Sequence, residues 1–202
     1  MAKKSHARSV DGDVGRRTAM PQPLAALVLE IAALLRQTKQ RIVFAESCTG
    51  GLVSAALARV PGISDYLCGS AVVYRLDTKA KWLDVSEVLL LNPGPVSEAV
   101  ARAMALGVLR RTPEADLAAS ITGHLGPHAP DDQDGLVFIG VACRSAAATR
   151  EVTVDVFEHR LQSDSPELRQ FPGESAREQR QWLATELVLA QVRSRLTELL
   201  SP

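Results

Sequence analysis

The chain has 202 residues and a formal net charge of zero, from 23 basic and 23 acidic side chains. That length suits one well-buried core rather than two, and 46% hydrophobic with 23% charged residues is ordinary for a soluble globular domain. The charge balance argues against nucleic acid or an anionic membrane as partner, and 4% aromatic residues argue against a base-stacking platform.

Residues 1–22 are polar, partly basic and without the apolar stretch of a signal peptide, so a disordered tail is expected ahead of a single domain over 23–202. From Leu24 onward Leu27, Val28, Ile31, Leu34 and Leu35 keep the three-four spacing of a helix with one buried face. "RIVFAE" reads as a buried strand, and Gly50 to Arg59 as a helix stopped by Pro61-Gly62. "GSAVVY" reads as a second strand, followed by a short helix from Thr78 to Leu83. "NPGPVSEAV" turns into a helix reaching about Arg111, with Ser97 as its cap. "ADLAASIT" is a third strand, ending in the loop "GHLGPHAPDDQDG". "LVFIGVACR" and "REVTVDVFEH" read as an antiparallel pair across "SAAAT". Residues 160–173 look like an irregular insertion, and Glu174 to Leu200 like a long last helix.

This alternation predicts an α/β domain with a mostly parallel, partly mixed sheet. Ligands of such sheets sit at the carboxyl ends of the strands, where "ESCTGG" and "TGHLGP" fall. A helix starting after Ser47-Cys48-Thr49 would aim free N–H groups into the first loop, and Gly50 and Gly51 allow close backbone approach. That geometry serves an anion, an acyl-transfer oxyanion, or only a tight corner; no Walker lysine follows. The three cysteines, Cys48, Cys68 and Cys143, are widely spaced and suggest a reducing, cytoplasmic setting. His124, His128, Asp131, Asp132 and Asp134 have metal-ligand chemistry, but Gly126-Pro127 keeps the two histidines off one helical face, so no metal is expected. His6 and His159 stand alone.

"AESCTGG" resembles the signature of the CinA C-terminal domain family, the nicotinamide mononucleotide amidohydrolases. "GSAVVYRLDTKAKWLDV", "GPVSEAV", "SITGHLGP" and "GLVFIGVA" resemble its further segments in order, covering 24–145 and, more weakly, 171–195. The resemblance implies a three-layer α/β/α sandwich around a mixed sheet of about five strands. It implies hydrolysis of nicotinamide mononucleotide to nicotinate mononucleotide and ammonia, without a cofactor. Ser47 would be the nucleophile, Lys79 its general base and Tyr74 a neighbour; a lysine can be that base only if burial or a nearby cation lowers its pKa. Substrate contacts are assigned to Glu46, Thr49, Gly50, Gly51, Thr122, Gly123, Gly126 and Arg177. For Glu46 a cap on the local N–H groups is an equal alternative. Cys48 competes with Ser47 by chemistry, but strand neighbours face opposite ways, and the resemblance leaves Cys48 packed. A small nucleotide as ligand and a homo-oligomer, with a dimer favoured, complete the expectations. The family's larger members carry an additional N-terminal domain, for which this length leaves no room.

The chain departs from the family pattern at three places. No Lys-Pro pair follows Gly126-Pro127. His124 stands where a small apolar residue is usual. Gly173-Glu174-Ser175 replaces a Gly-Asp-Arg, with Arg177 and Arg180 nearby. If Ser175 holds the arginine's place, activity on the mononucleotide is weakened, and Arg177 substitutes only if the helix starts later than Glu174. The rival readings are a nucleotide binder without turnover and an amidohydrolase on another small amide.

Overall fold

Along the first strand, β1 (Ile42–Glu46), successive side chains leave on opposite sides, as pleating requires. Ile42 and Phe44 enter one apolar cluster, and Val43 and Ala45 enter another. A strand buried on both faces needs a helical layer on each, and a computed structural model of the chain has that arrangement. It describes residues 20–145, 151–162, 165–171, 173 and 175–201. The expected tail lies outside the described residues up to position 19, and most of the "SAAAT" connection lies outside them too.

One helical layer holds α1 (Gln22–Thr38), α2 (Leu52–Leu57) and α6 (Ala176–Glu198). The other holds α3 (Leu76–Leu83), α4 (Glu87–Leu91) and α5 (Glu98–Arg111). Between them lie β1, β2 (Leu67–Val72), β3 (Leu117–Gly123), β4 (Leu136–Arg144) and β5 (Val152–Arg160), in the order β2-β1-β3-β4-β5. β1 pairs in parallel with β2 and β3, while β4 is antiparallel to β3 and β5. Four strands therefore run one way and β4 the other, which is the mixed α/β/α sandwich expected. No helix among the described residues is long and apolar enough to cross a membrane.

Small residues let α5 come close to the sheet. Ala118, Ser120, Gly140 and Ala142 share the face beneath it, and Ser120 Oγ donates to the Ala101 carbonyl at 2.7 Å. On its other side α5 meets the end of α3 through Gly107.

Several boundaries differ from the sequence reading. α2 is shorter than expected, and β2 starts and ends two residues earlier, which leaves Tyr74 beyond the strand. α4 was not expected: of its residues only Leu90 is buried, so its apolar spacing carries no helical signature. In the segment after β5, Leu161, Leu168 and Phe171 are buried in the cluster beneath α6.

A Cβ on Gly107 would lie 2.1 Å from the Leu83 carbonyl oxygen. Gly107→Ala should therefore destabilise the fold, although alanine is the better helix former. Overpacking costs about 1–3 kcal/mol, against a propensity gain of about 1 kcal/mol. A thermal melt should show a lower Tm; an unchanged or higher Tm would mean that α3 and α5 separate freely.

Candidate active site

The chain leaves β1 through Glu46 and Ser47, and the ladders on both sides continue past the strand. Val73 N–H donates to the Glu46 carbonyl at 2.8 Å, and Ser47 N–H to the Ile121 carbonyl at 3.1 Å. Ser47 is thus fixed by β2 on one side and β3 on the other. Alternation sends the Glu46 side chain under α2 and Ser47 toward α3.

Glu46 is 1% exposed, and its carboxylate accepts five hydrogen bonds. Oε2 takes Thr49 Oγ1 at 2.8 Å and the N–H groups of Gly51 and Val53 at 3.0 Å each. Oε1 takes Ser54 N–H and Ser70 Oγ, each at 3.0 Å. A carboxylate has about four lone-pair directions, so nothing remains for a ligand. The free N–H groups that open a helix are here filled by the protein's own acid. Of the two alternatives for Glu46, the geometry is that of the cap. Thr49 is buried behind the turn; Gly50 (φ +64°) and Gly51 (φ +103°) shape it in the left-handed region. None of these four lines the cleft in front of Ser47, which corrects their assignment as substrate contacts.

Lys79, in the first turn of α3, is 2% exposed and reaches Ser47 Oγ at 2.8 Å. Its Nζ also donates to the Val73 carbonyl at 2.8 Å. Burial pulls its pKa from an ordinary 10.5 down to about 8. Cys48 turns the other way into the core beneath α2 and α6, and burial pushes its thiol up to about 12. Its carbonyl accepts from Gln181 Nε2 at 3.1 Å.

A cleft of about 230 Å³ lies in front of this pair. Tyr74, Leu76 and Lys79 form one wall; Pro95 and Val96, from the loop before α5, form another. Thr122, Gly123 and His124 close it from the end of β3, and Arg177 from α6. Arg177 donates from Nη2 to Tyr74 Oη at 2.7 Å and from Nη1 to the Gly126 carbonyl, so it ties three chain segments together over the opening. Gly126 itself takes part through that carbonyl. Leu76, Pro95 and Val96 escaped the sequence reading, because apolar lining residues carry no chemical signature.

The family model for the CinA C-terminal domain covers residues 24–167. The chain belongs to the CinA C-terminal domain family. It is 38% identical over 162 residues to a CinA-like protein of Geobacter metallireducens, covering 71% of this chain and 39% of that one. A putative competence-damage inducible protein of Alkaliphilus metalliredigens is 40% identical over 126 residues, 61% of this chain and 30% of that one. The matched part of this chain thus spans well under half the length of these curated relatives. Among solved structures, the competence/damage inducible protein CihA from Agrobacterium tumefaciens superposes with a TM-score of 0.73 at 26% identity, covering 89% of this chain and 99% of that one. A CinA superfamily protein from Klebsiella pneumoniae gives a TM-score of 0.73 at 25% identity, covering 88% and 99%.

One of the departures from the CinA pattern lies at the start of α6. The helix begins at Ala176, later than expected, because Ser175 is its cap: Ser175 Oγ accepts from Glu178 N–H at 3.3 Å, and Glu178 returns the contact to Ser175 N–H at 3.2 Å. Ser175 therefore has a capping task, and the arginine that lines the cleft is Arg177, as the later helix start allows. Arg180, 3% exposed, instead grips Asp134 through two bonds of 2.8 and 2.7 Å and donates to the Leu125 carbonyl at 3.3 Å. It fixes the loop after β3. His124 lines the cleft, whereas His128 is exposed beyond Pro127, and the described residues bring no three metal-ligand side chains together.

Replacing Glu46 by glutamine would set an amide N–H₂ against donors. A hydrogen bond to a charged group is worth about 1.5–3 kcal/mol, so Glu46→Gln should lose at least that much stability, read as a lower urea midpoint. Wild-type stability would show that the turn holds without its acid.

Proposed function

We propose that this chain hydrolyses the carboxamide of nicotinamide mononucleotide, giving nicotinate mononucleotide and ammonia. The observation that carries the reading is the buried Lys79 Nζ, 2.8 Å from Ser47 Oγ and with its pKa brought to about 8. Serine becomes a nucleophile when a base takes its proton, and a lysine near neutrality can be that base. The Val73 carbonyl holds one Nζ hydrogen and so anchors the amine beside Ser47.

Ser47 Oγ adds to the amide carbon as its proton passes to Lys79. Collapse breaks the C–N bond, and Lys79 returns the proton to the departing nitrogen, releasing ammonia and leaving an ester on Ser47. Water then attacks the ester, with Lys79 taking its proton and passing it back to Ser47. Tyr74 and Arg177 stand at the opening as substrate contacts. A Cys48 nucleophile is disfavoured by its burial and raised pKa. The family membership supports the assignment without fixing the amide.

Ammonia release from nicotinamide mononucleotide tests the reading directly. Ser47→Ala should abolish it, while Cys48→Ala keeps most of it; the reverse pattern would move the nucleophile.

The pH dependence has a defined sign. Lys79 reacts as the neutral amine, so kcat should rise through about pH 8 and level off above it. Its folded pKa lies below its ordinary 10.5, so the unfolded chain binds more protons between those values, and this group alone makes stability rise with pH across that window. Lys79→Met should remove both effects and lower turnover by orders of magnitude. A profile flat from pH 6 to 9, with chemistry rate-limiting, would exclude Lys79 as the base.

A further inference from the structure

We infer that His124 is an anion-recognition residue, which makes the cleft prefer an amide bearing a phosphate monoester over the same amide without one. The inference rests on the amidohydrolase reading and concerns the part of the substrate that Ser47 and Lys79 do not touch.

The usual seat for a phosphate in such a fold is the glycine-rich turn at a helix start. That seat is closed here, since the Glu46 carboxylate takes the N–H groups of Gly51, Val53 and Ser54. An anion in this cleft must therefore be held by side chains. The basic side chains that line it are Lys79, His124 and Arg177, and no carboxylate lines it among the described residues. The chain as a whole carries no net charge, so this one-sided lining is local. Asp134, on the same loop as His124, is tied to Arg180 and leaves the cleft uncompensated.

Lys79 is committed to Ser47 and Val73. Arg177 spans Tyr74 and Gly126. His124 differs from both: its ring makes no hydrogen bond to any described residue. Its backbone is nonetheless fixed, with its N–H on the Leu136 carbonyl at 2.9 Å and the next two carbonyls held by Arg180 and Arg177. An imidazole lining the cleft on a fixed backbone, its ring unbonded to any described residue, is placed to donate to a phosphate oxygen alongside the guanidinium. It is not in the proton path, because it bonds to neither Ser47 nor Lys79, whereas those two bond to each other.

The test compares wild type with His124→Ala and His124→Gln on nicotinamide mononucleotide and nicotinamide riboside, and measures inorganic phosphate binding by calorimetry. Loss of one charge-assisted contact corresponds to about tenfold or more. For His124→Ala the kcat/KM ratio of mononucleotide to riboside should fall about that much, carried by KM, and phosphate should bind correspondingly weaker. His124→Gln, which keeps an N–H donor, should fall between the two. An unchanged ratio with unchanged phosphate affinity overturns the inference, as does a kcat loss shared by both amides, which would make His124 a proton carrier. If wild type releases ammonia from neither amide, the amidohydrolase reading fails, and the phosphate arm alone decides the role of His124.

Discussion

A buried carboxylate organises this site. Removing Glu46 from water would be costly if it were left bare, and the fold offsets that cost by aiming five donors at it from the turn, from α2 and from β2. The same bonds close the turn, seat α2 against β1 and hold the strand end from which Ser47 projects. One residue along, alternation puts the hydroxyl on the opposite face, where α3 brings Lys79. The position of the nucleophile is thus a consequence of where its neighbour must go. α2 has only six residues, too few for a stable helix in isolation, and its N-terminal donors would otherwise lack partners.

The Ser47–Lys79 pair depends on a second burial, with the opposite electrostatic result. Glu46 is surrounded by donors that favour its charge. Around Lys79 are a carbonyl and a hydroxyl, with no carboxylate to stabilise an ammonium, so burial favours the neutral amine. Glu46, whose charge could favour an ammonium, is instead taken up by donors on the other side of the sheet. Cys48, beside Ser47 in sequence, meets the same burial with the result for an acid: it enters the apolar layer, where its thiolate is disfavoured.

Much of this was legible in the sequence, for reasons that can be named. β1, β3 and β4 are buried on both faces and announce themselves as continuous apolar runs. α1, with its regular spacing, and Ser97, as a cap, were equally plain. Ser47, Tyr74 and Lys79 came from the family resemblance, and the fold brings all three to one cleft. Other features were hidden because they are set by tertiary contact. "VLLL" in α4 has no periodicity, since Val88 and Leu91 face solvent. Whether a carboxylate in "AESCTGG" faces a ligand or its own helix start depends on where α2 begins. The insertion after β5 looked irregular because its three anchors, Leu161, Leu168 and Phe171, are spaced for a surface that only α6 and the sheet create.

The start of α6 is the sharpest instance. The family resemblance expects an arginine at Ser175, and the sequence there reads as a loss. The capping box between Ser175 and Glu178 fixes the helix to begin at Ala176 instead, and with 3.6 residues per turn that start decides which arginine faces which way. Arg177 falls over the cleft and Arg180, nearly a turn later, falls inward onto Asp134. Two arginines three positions apart thus divide the work: the buried one holds the loop after β3 in place, and the outer one closes on that same loop at Gly126 and on Tyr74. The serine is therefore the residue that lets both arginines reach their partners.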